Sequence, residues 1–316
     1  MPDCLALGIL FADVGCWPID HLPFAGELVP TKHVQLSLGG CASNVALDLA
    51  KIGLDVGLSG CIGDDAFSDY IQKSLSVPRI DTSRLKRISD MGPGCSLIIN
   101  VQGEDRRFIS TTGANGEYEA NDIPEEWLRS AKVLYLGGYL MMPKLESPKT
   151  AELFQKAQSY GCKTMLDVVL YGDRPYWDAV KPLLPFVDVF VPNEWEAQKL
   201  TGLNAPIAQA EMFLENGVKA AVITCGEQGT YYISQTERFH SGIFPTTFVG
   251  GTGSGDAFAA GFMAGICQGV SARDCVCWGS ALGASCVRDV SATESVFNRQ
   301  EMEEFLAAHE LKIENL

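Results

Sequence analysis

Basic residues are scarce in this chain of 316 residues: 24 Lys and Arg stand against 39 Asp and Glu, and the formal net charge is −15. Nucleic acids and anionic membrane surfaces are bound through clustered Lys and Arg. We therefore expect neither of these partners. An anionic ligand would have to be held by backbone amides and a cation rather than by many basic side chains.

Long apolar runs and paired cysteines are also missing. No run approaches the roughly 20 residues of a membrane span. The first residues, MPDCLALGILFADVG, lack the basic segment of a signal peptide. The eleven cysteines are an odd number without CxxC spacing, as expected of free thiols in a reducing compartment. We therefore expect a cytoplasmic protein without a membrane span.

Apolar runs of strand length alternate with segments of helix length along most of the chain. Hydrophobic residues make up 47% of the sequence, enough to bury a large core. The predicted strands cover residues 5–11, 54–62, 133–136, 164–168, 187–191 and 220–224, and the predicted helices cover 45–52, 68–75, 147–160 and 194–200. Strands that alternate with helices in this way predict right-handed crossovers and a mainly parallel sheet.

A second, smaller sheet is predicted from two other parts of the chain. Residues 14–38 contain three prolines and end in an alternating pattern, and residues 92–113 contain two short strands, 94–101 and 106–110, joined by a turn. These segments interrupt the α/β alternation. We expect them to form short strands outside the main sheet.

The stretch 249–269, VGGTGSGDAFAAGFMAGICQG, combines a glycine-rich turn with an apolar helix. Gly251, Gly253 and Gly255 precede Asp256, and a strand over 244–249 is expected to lead into them. Backbone amides at the start of a helix, with the positive end of its dipole behind them, bind anions. A carboxylate there repels a phosphate unless it takes part in proton transfer or metal contact, as in a kinase.

A glycine-rich turn before a helix also occurs in Walker loops, in dinucleotide-binding motifs and in tightly packed structural turns. The Gly-Lys-Ser/Thr ending of a Walker loop is absent, since Asp256 and Ala257 follow Gly255. A dinucleotide fingerprint would need its third glycine one residue later. A tightly packed structural turn remains the alternative to a phosphate loop.

Residues at three other places are candidates for ligand binding. Asp13 follows the first strand, where open α/β sheets bind ligands, but it also suits a solvated turn. Gly39-Gly40 and Asn44 introduce a helix, where the glycines allow either a ligand or close helix packing. Arg106 and Arg107 alternate across a strand, so at most one faces a ligand, and a cross-strand ion pair is the alternative.

The order of these motifs resembles that of a known family. Gly39-Gly40 with Asn44, Gly113-Ala114-Asn115, Asn193 with Glu196, Thr224-Cys225-Gly226 and Gly253-Ser254-Gly255-Asp256 are similar to the ribokinase-like (PfkB) family of carbohydrate and nucleoside kinases, from about residue 5 to 306. The resemblance implies one kinase domain over residues 1–316. Its expected fold is an α/β, three-layer αβα fold with a mainly parallel central sheet and a small β lid.

The resemblance also implies a reaction and a set of roles. The expected activity is ATP- and Mg²⁺-dependent phosphorylation of a hydroxyl, expected to be primary, of a small sugar or sugar acid. Asp256 would be the base, and the amides of Gly253, Ser254 and Gly255 the anion hole. The remaining implied positions are Asp13, Gly39, Gly40, Asn44, Arg107 and Asn115 for the sugar, Asn193, Thr224, Gly226, Gly229 and Gly279 for the nucleotide, and Glu196 for Mg²⁺ through water. A homodimer through the lid is expected.

Two alternatives and two departures from the family pattern accompany this interpretation. A nucleoside kinase would use aromatic lid contacts such as Trp17 and Phe24, and a non-catalytic binding protein would have no use for Asp256. The family usually has Asp-Thr where this chain has Gly250 and Gly251, and often a glycine where it has Val290. Because that Asp helps hold a monovalent cation in the family, we predict a weak or absent monovalent-cation site and little K⁺ activation.

Overall fold

A computed structural model describes residues 1–104, 107–119, 121 and 123–316. Within those residues the strands are β1 Cys4–Gly8, β2 Phe11–Cys16, β3 Val34–Gly39, β4 Val56–Ile62, β5 Ile80–Arg87, β6 Gly94–Ile99, β7 Arg107–Thr111, β8 Val133–Gly137, β9 Lys163–Leu166, β10 Val189–Phe190, β11 Ala220–Thr224, β12 Thr230–Ser234, β13 Arg238–Ser241 and β14 Ile313–Asn315. The α-helices are α1 Cys41–Lys51, α2 Ala66–Leu75, α3 Glu125–Ser130, α4 Pro148–Ser159, α5 Tyr176–Val180, α6 Glu194–Thr201, α7 Pro206–Glu215, α8 Ser254–Gln268, α9 Ala272–Cys286 and α10 Arg299–Ala308.

The main sheet of the described residues has ten strands in the order β14-β13-β12-β11-β10-β9-β8-β1-β4-β5. The pairs from β11 to β5 are parallel, and those from β11 to β14 are antiparallel. Every residue of β1, β4 and β8 is buried, as expected of central strands covered by helices on both faces. The predicted mainly parallel sheet is confirmed.

The small sheet has the order β3-β2-β6-β7. β2 pairs with β3 antiparallel and with β6 parallel, so Asp13 lies opposite Ser37 on one side and Ser96 on the other. The predicted lid segments 14–38 and 92–113 contain most of these four strands. The prediction for 106–110 falls partly on Arg106, which lies outside the described residues.

The first apolar run does not form one strand over residues 5–11 as predicted. β1 ends at Gly8, whose φ is +137°, and a Cβ there would overlap the carbonyl of Gly137. The chain leaves the main sheet at this point and begins β2 at Phe11. Asp13 therefore lies inside a strand of the small sheet, and the prediction that it sits just past a main-sheet strand was wrong.

The predicted strand over 244–249 is also absent from the structure. Residues 245–249 are exposed, and Pro245 has no N–H to donate to a neighbouring strand. The partner of β12 is β13 instead, and an irregular segment leads to the glycine-rich turn. The prediction missed edge strand β5, because its mostly polar and exposed residues lack an apolar pattern.

Helices α8 and α9 pack against each other through small residues. A Cβ at Gly261 would lie 2.8 Å from the Cα of Gly279, and one at Gly279 would lie 2.8 Å from the carbonyl oxygen of Phe258. Glycines at both positions therefore allow the two backbones to approach closely. None of the helices in the described parts of the chain has the length and apolarity needed to cross a membrane.

Candidate active site

The glycine-rich turn places the start of α8 at the centre of the candidate site. Gly253 is the N-cap with φ +79°, a left-handed conformation that favours glycine. Among the described residues, the amide N–H groups of Gly253 and Gly255 have no hydrogen-bond acceptor. The amide of Ser254 donates to the carbonyl of Gly251 at 3.3 Å. Two of the three predicted anion-hole amides are thus free to bind an anion, whereas the amide of Ser254 also closes the turn.

Asp256 lies in the first turn of α8 and faces the start of α1. The amide nitrogen Nδ2 of Asn44, on α1, donates to Oδ2 of Asp256 at 2.8 Å. Burial raises the pKa of Asp256, and hydrogen bonds from Asn44 and Cys41 lower it in part. The other end of the Asn44 amide, Oδ1, is buried without a partner in the described structure. The predicted base and one predicted sugar ligand are therefore in direct contact.

Asp167 lies close to Asp256, although it belongs to none of the motifs found in the sequence. It follows β9, and its Oδ2 accepts a hydrogen bond from the Tyr135 hydroxyl at 3.2 Å. Burial, followed by repulsion from Asp256, raises the pKa of Asp167 to about 7. Asp167 could have been found from the sequence, because it is a carboxylate at the carboxyl end of a predicted parallel strand, where ligands bind.

The turn before α6 adds a third carboxylate. The Asn193 side chain accepts from the amide of Glu196, and Glu196 Oε2 accepts from the amide of Asn193, both at 2.9 Å. A β-bridge joins Asn193 to Thr224. Burial, then the charges of Asp167 and Asp256, raise the pKa of Glu196. The capping box thus fixes a buried carboxylate within electrostatic range of the other two.

Asp13 reaches the site from the small sheet. Burial raises its pKa to about 6, a hydrogen bond from Ser96 opposes this shift, and the charge of Asp256 adds to it. A Cβ at Gly39 would overlap the Asp13 carboxylate, so the glycine leaves room for it. Gly40, the N-cap of α1, has φ +93°. The structure therefore groups Asp13, Gly39 and Gly40 with Asn44 on the side of Asp256 that faces the small sheet.

Two predicted sugar ligands have other partners. The buried side chain of Asn115 accepts from the Leu10 amide at 3.0 Å and donates to the Leu10 carbonyl at 2.9 Å. Arg107 is exposed and forms an ion pair with Glu104. The amide of Asn115 is already used to hold the link between β1 and β2. Arg107 pairs with Glu104, three residues earlier in the chain, and not with a residue of the neighbouring strand as the predicted alternative had it. The geometry does not support direct sugar contacts for either residue.

The three predicted nucleotide glycines differ in their surroundings. A Cβ at Gly226 would meet no atom within 4 Å, so this residue borders open space beside Thr224. A Cβ at Gly229 would overlap the carbonyl of Ser241, which makes that glycine part of a tight turn. Gly279 lies in the contact between α8 and α9. Gly226 is therefore the one whose geometry best suits an approaching nucleotide.

The charges of the site fit a bound cation and a phosphate. Asp167, Glu196 and Asp256 form no ion pair with Lys or Arg among the residues that the structure describes. Buried carboxylates without a basic partner are stabilised by a metal ion. The free amides at the start of α8 provide donors for phosphate oxygens. The residues present therefore fit Mg²⁺ and the phosphates of ATP.

Comparison with known proteins was consistent with this geometry. The model of the "pfkB family carbohydrate kinase" matches residues 1–299. The chain belongs to the PfkB family of carbohydrate kinases. This PfkB kinase is 26% identical over 288 residues to a ribokinase of Haemophilus influenzae, covering 89% of this chain and 91% of that protein. It is 28% identical over 295 residues to a 2-dehydro-3-deoxygluconokinase of Bacillus subtilis, covering 90% of each.

Solved structures confirm the predicted ribokinase-like fold of the PfkB kinase. A ribokinase of Arabidopsis thaliana, complexed with ribose and ATP, superposes with a TM-score of 0.85 at 24% identity and covers 96% of this chain and 98% of its own. A putative ribokinase II of E. coli, in complex with ATP and Mg²⁺, gives a TM-score of 0.84 at 22% identity, covering 98% and 100%. As a member of a carbohydrate kinase family, the chain is a phosphotransferase with an alcohol acceptor.

Proposed function

We propose that this PfkB kinase transfers the γ-phosphoryl group of ATP to a hydroxyl of a small sugar, with Asp256 as the base. The observation that carries the proposal is the position of Asp256. Its half-buried carboxylate lies at the start of α8, beside the free amides of Gly253 and Gly255, and accepts a hydrogen bond from Asn44. This arrangement brings a proton acceptor and an anion site to one point, as transfer to a hydroxyl requires.

Each step has a group in the chain to perform it. Asp13 and Asn44 hold the sugar so that one hydroxyl points at Asp256, and Asp256 accepts the proton of that hydroxyl. The amides of Gly253 and Gly255 stabilise the charge on the transferred group. Glu196 and Asp167 would hold Mg²⁺ directly or through water, and Thr224 and Gly226 would border the nucleotide. The chemistry that the ion would supply is neutralisation of phosphate charge.

The acceptor is expected to be a neutral sugar rather than a sugar acid. The groups that surround the acceptor side of Asp256 are the carboxylate of Asp13, the amide of Asn44 and glycine backbone. A substrate carboxylate beside Asp13 would be repelled, and Arg107 is engaged with Glu104. The named relatives act on sugars and sugar acids, which favours a sugar over a nucleoside. Trp17 and Phe24, the aromatic candidates for a nucleoside, are exposed on the loop after β2.

A substrate panel tests the proposal. ADP release would be measured with Mg²⁺-ATP and ribose, other pentoses and hexoses, 2-dehydro-3-deoxygluconate and nucleosides. We expect one neutral sugar to give the highest kcat/KM. Preferred turnover of the sugar acid would contradict the neutral acceptor, preferred turnover of a nucleoside would contradict the sugar assignment, and ATP binding without turnover of any compound would favour a non-catalytic protein.

Activity is expected to fall on the acid side of neutrality. Asp256 must be ionised to accept a proton, and burial raises its pKa above the ordinary value. Burial, followed by repulsion from Asp256, raises the pKa of Asp167 to about 7, so Asp256 loses its proton at the lower pH. The profile of kcat/KM against pH should therefore fall toward acid pH with a midpoint between about 4 and 7, and Asp167→Asn should leave this midpoint nearly unchanged. A flat wild-type profile down to about pH 4 would contradict this assignment.

Potassium is expected to have little effect on the rate. Gly250 offers no carboxylate to a cation beside the turn, and the neighbouring carbonyls already have donors within the protein. The thiol of Cys286 donates to the carbonyls of Thr252 at 3.3 Å and Ala292 at 3.1 Å, and the Lys51 ammonium donates to Thr293. Replacing Na⁺ by K⁺ at constant ionic strength should change kcat less than about twofold. A large increase with K⁺ would show that a cation site exists.

A homodimer through the small sheet is proposed from its outer face. Leu97 and Ile109 are cross-strand neighbours that are 46% and 61% exposed, and Val34 is 58% exposed. An apolar surface of this kind favours association. Light scattering after size exclusion should give twice the 34.1 kDa mass of the chain, and Leu97→Lys combined with Ile109→Lys should give the monomer mass. A monomeric wild type would refute the dimer.

A further inference from the structure

Cys41 occupies an unusual place for a thiol, at the first position of α1 and against the base. Its Sγ and one carboxylate oxygen each of Asp167 and Asp256 lie within 4.8 Å of one another. We propose that these three residues form a binding site for a thiophilic divalent cation such as Zn²⁺, and that the bound ion inhibits the kinase. The inhibitory part rests on the function proposed above, whereas the binding part does not.

Three separate elements bring the ligand atoms together. Cys41 begins α1, Asp167 follows β9, and Asp256 lies in the first turn of α8. Zn²⁺ binds sulfur at about 2.3 Å and carboxylate oxygen at about 2.0–2.2 Å, which places tetrahedral ligands about 3.5 Å apart. The three ligand atoms lie within 4.8 Å of one another, so they would have to approach by about 1.3 Å or less to reach that spacing.

A fourth polar group points to the same ligand. The Asn44 residue is 3% exposed, and its Oδ1 has no hydrogen-bond partner in the described structure. The Nδ2 atom of the same amide group donates to Asp256, so the unpaired oxygen lies next to the cluster. A buried oxygen without a donor costs free energy. A cation, or a water bound to it, would satisfy this atom.

The thiol selects the class of metal. Carboxylate and water ligands suit Mg²⁺, but sulfur is a poor ligand for that ion and a strong one for Zn²⁺, Co²⁺ and Cu⁺. On binding, the Cys41 thiol loses its proton to solvent, and the thiolate and two carboxylates share the charge of the ion. Glu196, the other carboxylate assigned to Mg²⁺ above, is not one of the three ligands and remains available to that ion. The site is therefore distinct in chemistry from a magnesium site built on oxygen ligands.

Inhibition follows from the identity of the ligands. An ion bound to the Asp256 carboxylate removes the lone pair that would accept the proton of the sugar hydroxyl. It would also occupy the space in front of Asn44 that the sugar needs. Zn²⁺ is therefore expected to lower kcat and to compete with the sugar.

Cobalt titration tests binding without any knowledge of the sugar. Co²⁺ bound to thiolate gives a charge-transfer band in the near ultraviolet, which Co²⁺ bound to oxygen does not. The wild type should show this band with one equivalent of Co²⁺. Cys41→Ser should abolish it, and Asp167→Asn should weaken binding about 10-fold or more. Cys95→Ser, which changes a more exposed thiol in β6, should behave as the wild type.

Inhibition is measured separately, in excess Mg²⁺ and with each variant normalised to its own rate without Zn²⁺. The concentration of Zn²⁺ that halves the rate should rise about 100-fold in Cys41→Ser. A cobalt band that persists in Cys41→Ser, or is lost in Cys95→Ser, would overturn the site. A Cys41-dependent band without inhibition by Zn²⁺ would show that the bound ion does not block the base, Asp256, and would overturn the inhibitory part. The absence of turnover on every sugar would count against the proposed function alone.

Discussion

Asp256→Asn is expected to lower kcat about 10³-fold, the middle of the range for removal of a general base. Asparagine retains an oxygen that can accept the hydrogen bond from Asn44, so the geometry of the site should be kept. What is lost is the ability to take a proton from the sugar hydroxyl. The KM for ATP should change by less than about threefold, because the amides of Gly253 and Gly255 do not depend on the carboxylate charge.

Thermal unfolding separates this effect from a loss of structure. Burial raises the pKa of Asp256 in the folded protein, so its ionised form opposes folding at pH values above its unfolded pKa. At pH 8 the Asn variant should therefore be at least as stable as the wild type. Asp178→Asn, which removes an exposed carboxylate, is the control and should leave kcat unchanged. An Asp256→Asn variant with near-normal kcat would show that another group is the base.

Local patterns predicted the elements of the main sheet well, because both periodicity and length are properties of short segments. The strand over 220–224 was predicted with the bounds of β11, and the helix over 147–160 contains α4. The first strand was wrong in extent, since its break at Gly8 depends on the carbonyl of Gly137, far away in the chain. The strand over 244–249 was wrong because its residues are apolar enough to suggest a strand, whereas in the structure residues 245–249 form an exposed, irregular segment without a partner strand among the described residues.

The residues of the site that belong to local sequence motifs were predicted, and those that do not were missed. Asp256 and Asn44 were selected from motifs, and the structure brings them to 2.8 Å. Asp167 was overlooked because a single carboxylate at the end of a strand carries no local sign of its neighbours. Asp167 accepts a hydrogen bond from Tyr135 and is repelled by the charge of Asp256, and both of these residues are distant in sequence. Asn115 shows the converse, since its motif was visible but its partner, the backbone of Leu10, was not.

Gly253→Ala is expected to lower both activity and stability. The residue has φ +79°, and a Cβ there would lie 2.6 Å from the Cα and Cβ of Ala292. The left-handed conformation and the overlap together should cost about 2–4 kcal/mol of unfolding free energy. Relief of the overlap would move the turn, so the amides of Gly253 and Gly255 would no longer converge. Loss of this anion site should reduce kcat about 10²-fold.

Variants of two other glycines of α8 separate the effect of backbone strain from the effect on the anion site. Gly269 ends the helix with φ +69°, and a Cβ there would meet no atom within 4 Å. Gly269→Ala should therefore cost only about 1 kcal/mol of strain and leave kcat within about twofold. Gly255→Ala also meets no protein atom, and its unfolding free energy should change by less than about 1 kcal/mol. Because that Cβ would enter the space assigned to the phosphate, a raised KM for ATP in Gly255→Ala would place the nucleotide there. Normal kcat in Gly253→Ala, measured at a temperature where the variant is folded, would exclude the turn as the anion site.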